Sequence, residues 1–189
     1  MLINFQAIAH KITPDELLRL SSDNPDTKFE TTKEGRLIAM SPTGSLTGGR
    51  NADLLIQVGI WNRQNKLGKV FDSSTGFILS NGAVKSPDVS WIELSRWREL
   101  TPKQQARFAP IDPDFVIELR SPTDRLSDLQ LKMVEYLKCG VLLGWLINPM
   151  DKQVEVYRQG QEIKVLDSPQ SLSGENVCSG LIVDLADIF

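Results

Sequence analysis

Along the chain, short runs of alternating apolar and polar positions are interrupted by two longer stretches of helical period, and this pattern sets the expected elements. Thr13-Pro14-Asp15-Glu16 is a helix start, with Thr13 as N-cap, Pro14 at the first helical position and Glu16 closing a capping box. That helix is expected to run to about Leu20. KFETTKEGRLIAM follows as two extended pieces around a Lys33-Glu34-Gly35 turn, a hairpin expected to form the first sheet edge. From Arg50 to Asn65 the residues Ala52, Leu54, Leu55, Ile56, Val58, Ile60 and Trp61 cover most of the helical circle, so this helix is expected to pack on more than one side.

Short strands are expected at Lys69 to Asp72, Gly76 to Leu79 and Asp88 to Ile92, separated by turn-forming stretches such as SNGAVKSP. Ser95 to Phe108 reads as one or two short surface helices, the second starting at Pro102. Phe115 to Leu119 is a compact β-rich run, Ser127 to Cys139 an amphipathic helix and Leu142 to Ile147 a buried strand, which together make a β-α-β unit. QVEVYR, EIKVLD and LIVDLADIF alternate as edge strands. The expected fold class is α/β (α+β): a mixed β-sheet flanked by helices, with an N-terminal hairpin and C-terminal edge strands, in a single domain over residues 1–189.

Composition narrows the function classes. An apolar fraction of 41% in 189 residues suffices for one core, and the 24% of charged residues are spread in both signs, unlike a disordered tail. A net charge of -3 argues against coating nucleic acid by bulk positive charge, and leaves Arg50, Arg63, Lys66 and Lys69 as candidates for a local basic face. MLINFQAIAH lacks the form of a secretory signal and no apolar run is long enough for a bilayer, so a cytoplasmic protein without membrane contact is expected. Cys139 and Cys178 make neither a metal-ligand spacing nor a disulfide framework, and His10 as the only histidine excludes a His-rich metal site within one chain.

The chemistry concentrates in SPDVSW, PDFVIELRSP and the helix DLQLKMVEYLKCG. Strand alternation puts Asp114, Val116, Glu118 and Arg120 on one side and Phe115, Ile117 and Leu119 on the other. Glu118 therefore stands mid-to-late on an apolar strand, where a carboxylate is costly unless a cation or hydrogen-bond donors compensate it. Asp88 poses the same problem one strand earlier. If the two strands are neighbours, the carboxylates converge, and such hard oxygen ligands suit Mg²⁺ or Mn²⁺. The structural alternatives are a strand start for Asp88, an ion pair of Glu118 with Arg50, Arg120 or Lys132, and a solvated Lys132 paired with Asp128.

Pro87-Asp88, then Glu118-Leu119-Arg120 at a strand end, then a helix carrying Lys132, resembles the PD-(D/E)xK nuclease superfamily. The ordered segments FETTKEGRLIAMSP, GGRNADL, LGKVFDSSTGF, SPDVSW, PDFVIELRSP, KMVEY, and LGWLINP followed by VEVYR, from about Thr13 to Phe189, more closely resemble a bacterial, Uma-type family of restriction-endonuclease-like proteins. The resemblance implies a restriction-endonuclease-like fold and a Mg²⁺- or Mn²⁺-dependent endonuclease acting on nucleic acid, with DNA favoured. It implies that Asp88 and Glu118 bind the metal together with the backbone carbonyl of Leu119. A one-site enzyme needs two copies to cut both strands of a duplex, so the resemblance also implies a homodimer. It departs at Arg120, where the strict motif has lysine; arginine stays protonated and clamps a phosphate but does not activate water as lysine can. In several branches the lysine has moved onto the next helix, and Lys132, about 40° from Tyr136 around that helix, is the candidate. Glu30, expected before the first hairpin, is a secondary candidate for an additional acid. The alternative is a catalytically inactive nuclease-fold binding or assembly module, and hydrolysis of another phosphoester is a third possibility.

Overall fold

The computed structural model describes residues 11–189; the opening MLINFQAIAH, with His10, lies outside them. Helix α1 (Pro14–Asp23) begins with the capping box: Thr13 Oγ1 accepts the Glu16 N–H at 3.3 Å and Glu16 Oε2 accepts the Thr13 N–H at 2.8 Å. It passes Leu20 because Asn24 Nδ2 donates to the Leu20 carbonyl at 2.9 Å and closes the last turn. β1 (Lys28–Thr31) and β2 (Leu37–Met40) pair antiparallel, and Gly35 in the turn has a φ of +78° that a side chain would resist. This hairpin is not an edge of the main sheet, contrary to the sequence expectation. It is a sheet of its own, held by a small core of Ile12, Leu17, Phe29 and Val84.

α2 (Ser45–Asn65) starts five residues before Arg50, with Gly44 at the N-cap. It buries Thr47, Leu54, Val58 and Trp61 along one face, while Ile56 and Ile60 stay 56% and 52% exposed. The expectation of packing on several sides fails because the sheet offers α2 a single apolar face. β3 (Gly68–Asp72) comes next, followed by β4 (Phe77–Ile78) and β5 (Val84–Lys85), which pair with each other rather than joining the sheet. The remaining elements are β6 (Val89–Glu93), α3 (Leu94–Glu99), α4 (Pro102–Gln105), β7 (Phe115–Leu119), α5 (Leu126–Cys139), β8 (Leu143–Asn148), β9 (Gln153–Arg158), β10 (Lys164–Asp167), β11 (Ser171–Ser173) and β12 (Ile182–Asp184). α4 starts at Pro102 with a second capping box from Thr101 and Gln104.

The main sheet has six strands in the order β10-β9-β8-β7-β6-β3. β7 and β8 run parallel and are joined by α5, the β-α-β unit read from the sequence, whereas the other neighbours are antiparallel. Of the C-terminal segments, QVEVYR and EIKVLD join this sheet. LIVDLADIF does not: β12 pairs with β11, and the Gln57 side chain of α2 takes both backbone groups of Asp184, at 2.7 and 3.0 Å.

Alternate side chains of β7 serve two cores. Phe115, Ile117 and Leu119 join Leu54, Val58, Trp61 and Trp145 on the α2 side, while Val116 joins Met133, Tyr136 and Leu146 under α5. The Phe115 and Trp145 rings meet edge to face at 4.7 Å, an arrangement that adds about 1 kcal/mol beyond the buried area. Both cysteines are free and buried, and among the described residues no helix is long and apolar enough to cross a membrane.

Candidate active site

β6 and β7 are antiparallel neighbours with Val89 opposite Ile117, so extending the register by one residue sets Asp88 opposite Glu118. Cross-strand partners share a face, and this face lies under α5. Pro87 offers no N–H at the start of β6, and the Leu119 N–H instead donates to Asp88 Oδ2 at 2.9 Å. Asp88 is thereby fixed by the backbone of the strand that carries Glu118. Its other oxygen, Oδ1, accepts no hydrogen bond among the described residues.

Glu118 is 4% exposed, and its Oε1 receives both the Tyr136 hydroxyl at 2.9 Å and the Lys132 ammonium at 2.8 Å. Lys132 and Tyr136 are four apart on α5 and so project from one side of the helix, with the ammonium 5.8 Å from the ring centre. Lys132 also donates to Glu30 Oε1 at 2.9 Å. Glu30 lies within β1 rather than ahead of the hairpin, and its Oε1 accepts the Ser86 N–H at 2.9 Å while Oε2 faces Lys85 at 3.8 Å.

The electrostatics follow from this packing. Burial pushes the Glu118 carboxyl up to about 7; Lys132 opposes that shift, and the Asp88 and Glu30 charges add to it. Burial likewise raises Asp88, against the pull of Lys28 and the Leu119 N–H. Glu30 is equally buried, but Lys132 and Lys85 together outweigh its desolvation and hold it below the usual carboxylate range. Burial pulls Lys132 down, yet Glu118 and Glu30 more than compensate, so the ammonium keeps its proton. Tyr136 is raised well above 10 by burial and by Glu118, and stays a neutral donor.

Arg120 stands apart from this cluster. Its guanidinium donates to the Asp124 carbonyl and to Asn148 Oδ1, both at 3.3 Å, and lies 3.5 Å from the Asp151 carboxylate. Lys69 stands opposite Ile92, four residues along β6 from Asp88, and Arg63 and Lys66 end α2 close to that same far end. Of the basic residues singled out from the sequence, Lys69, Arg63 and Lys66 therefore do not flank the acids. The cations that act on them are Lys132, Lys28 and Lys85.

Tyr136, Lys85 and Lys28 were missed in the sequence. In the sequence Tyr136 serves only to mark the position of Lys132 on its helix, although a phenol on a buried face requires a partner and the nearby strand carries a costly acid. Lys85 sat in a stretch read as a turn. No three His, Cys, Asp or Glu side chains among the described residues converge as a complete metal centre. The donor set still fits a hard cation, because neither Asp88 Oδ1 nor Glu118 Oε2 has a partner among the described residues, and Mg²⁺ is commonly held by one or two carboxylates with water completing the shell. Glu30 does not fit as a ligand, since lysines and a backbone N–H occupy both its oxygens.

Comparison with known proteins agrees with this arrangement. The crystal structure of "a putative nuclease belonging to DUF820 from Anabaena variabilis ATCC 29413" is similar to this chain with a TM-score of 0.76 at 26% identity, over 94% of this chain and 97% of that one. Curated proteins give no match. The model of the Uma2 family, described as "Putative restriction endonuclease", matches residues 14–186. With nearly the whole chain matched and a nuclease fold shared, the protein belongs to the Uma2 family.

Proposed function

We propose that this protein is a divalent-metal-dependent endonuclease that hydrolyses DNA phosphodiesters at Asp88, Glu118 and Lys132. The observation that carries the reading is the cross-strand pair Asp88 and Glu118, each with one oxygen that has no partner among the described residues, beside a buried lysine that stays charged. Asp88 Oδ1, Glu118 Oε2 and the Leu119 carbonyl would hold Mg²⁺ or Mn²⁺. Such an ion, when bound, polarises a phosphoryl oxygen and acidifies water.

The residues of the chain do the rest. Lys132 spends two N–H groups on Glu118 and Glu30 and keeps one for the attacking water or a phosphate oxygen. Because it stays protonated, it orients and offsets charge rather than acting as a base. Tyr136 and Lys132 hold Glu118 Oε1, which leaves Oε2 for a cation. The water oxygen forms the new P–O bond as the bond to the departing sugar oxygen breaks. Arg120, paired with an Asp151 carboxylate that is 57% exposed, is the cation at the rim that can exchange that partner for a phosphate. One site cuts one strand, so a homodimer serves a duplex.

A binding or assembly module without turnover is the second reading, and the distance of Arg63, Lys66 and Lys69 from the acids favours it. Cleavage of plasmid and single-stranded DNA with Mg²⁺ or Mn²⁺ separates the two. The nuclease reading expects cutting by the parent and a loss of at least about 10³-fold in Asp88→Asn and Lys132→Met. No cutting by the parent across metals and substrates rejects it.

A further inference from the structure

We propose that Lys85 is a positioning residue for Lys132, acting through Glu30. Lys85 comes from β5, three residues before Asp88, and its side chain is only 6% exposed. Its ammonium lies 3.3 Å from Glu135 Oε2 and 3.8 Å from Glu30 Oε2. No contact links it to Asp88 or Glu118, so the proposed chemistry leaves it without a task. Buried ion pairs are poor stabilisers compared with apolar replacements of similar volume, so the enclosure of a lysine here calls for another cause.

The cause lies in what Lys132 leans on. Its two carboxylate partners are not equivalent, because Glu118 is also a proposed metal ligand. With a divalent cation bound, the Glu118 carboxylate would be neutralised and the ammonium repelled, so Lys132 would lose that hold when it is needed. Glu30 is the anchor that remains. It holds its place because Lys85 and the Ser86 N–H, adjacent in sequence, fix its two oxygens from one side. Glu135, held by the Asn81 amide at 2.8 Å, steadies Lys85 from α5, three residues from Lys132 on the same helix. The chain Glu135–Lys85–Glu30–Lys132 thus ties the hairpin, β5 and α5 to one ammonium position.

The catalytic consequence rests on the metal-nuclease reading, but the positioning itself has a readout without catalysis. The ¹⁵N ammonium resonance of Lys132, assigned with Lys132→Met, is expected to be sharp and slow to exchange in the parent with Mg²⁺ present. In Lys85→Met it is expected to shift and broaden, and in Lys85→Arg to recover. Single-turnover DNA cleavage is expected to fall about 10- to 100-fold in Lys85→Met, the range typical of supporting partners of a site. Mn²⁺ affinity and KM are expected to stay within about two-fold, which merely structural damage would not leave intact. Glu135→Gln, at a position whose side chain is 23% exposed, releases Lys85 without opening the core, and is expected to move the same resonance. It keeps the test decisive if Lys85→Met does not fold. An unchanged Lys132 resonance in the folded variants overturns the proposal, and so does a loss of Mn²⁺ affinity equal to the loss of rate. A parent that cuts nothing rejects the nuclease reading, while the resonance still decides the role of Lys85.

Discussion

Replacing Glu118 with glutamine should make the metal-free protein more stable above pH 7, although it removes a proposed ligand. Glu118 is buried, and its carboxyl is pushed from 4.5 up to about 7. The folded protein therefore retains a proton that the unfolded chain releases. With the folded value raised, parent stability falls as pH climbs from about 4.5 to about 7 and levels off above that. That interval, at about 1.4 kcal/mol per pH unit, amounts to about 3 kcal/mol. Glutamine is neutral and nearly isosteric, and its carbonyl oxygen can accept from Tyr136 and Lys132 as Glu118 Oε1 does. The attraction of Lys132 is already included in where Glu118 titrates. Glu118→Gln should thus gain about 3 kcal/mol at pH 8, roughly 6–12 °C in Tm for a domain of this size. The gain should shrink below about 1 kcal/mol by pH 5. Thermal unfolding with a chelator from pH 5 to 8, repeated with excess Mg²⁺, measures it; the ion should stabilise the parent and not the variant. A variant less stable than the parent at pH 8, or a difference that does not change with pH, refutes the reasoning, because Glu118 would then ionise without cost.

Tyr136→Phe removes the 2.9 Å bond to Glu118 and leaves the ring in its core. Chemical denaturation should show a loss of about 1 kcal/mol; cleavage should slow by no more than about 10-fold, because Lys132 still holds the same oxygen. Gly68→Ala would drive a Cβ into the Ile92 carbonyl oxygen and the Trp91 indole, where Gly68 exchanges two 3.0 Å bonds with the Asn62 amide. It should cost roughly 1–3 kcal/mol by denaturant titration. Cleavage per folded molecule should be unchanged, since Gly68 stands opposite Glu93, at the end of β6 away from Asp88.

What could be read from the sequence was local. The capping box at Thr13, the helix start at Pro102, the β-α-β unit and the alternating faces of β7 all depend on residues within a few positions of one another, where period and cap chemistry decide. The destination of the hairpin was not local: KFETTKEGRLIAM pairs with itself wherever it lies, and only the small core of Ile12, Leu17 and Val84 draws Phe29 away from the main sheet. α2 misled for a related reason. An apolar circle is required of a surrounded helix, but Ile56 and Ile60 show that it is not sufficient evidence for one. At the site, Asp88 and Glu118 were visible as acids in apolar strands, whereas their register, the Tyr136 partner and Lys85 emerge only once β5, β6 and α5 are placed together.

The same geometry shows what the role proposed for Lys132, that of a helix lysine in place of the strand lysine of the strict motif, would require. Arg120, two residues past Glu118, is drawn to Asn148, Asp151 and the Asp124 carbonyl at the rim. Lys132 reaches Glu118 from above, because α5 must cross this face to connect two parallel strands. A lysine on the strand is positioned by the strand itself, with no further requirement. A lysine on the helix is only as well placed as the helix is docked, and a metal on Glu118, as proposed, would weaken one of its two holds. The move therefore creates a need for a second carboxylate that the metal does not touch, and for something to keep that carboxylate fixed. In the proposed scheme Glu30 and Lys85 meet that need, which would account for a buried lysine three residues before Asp88.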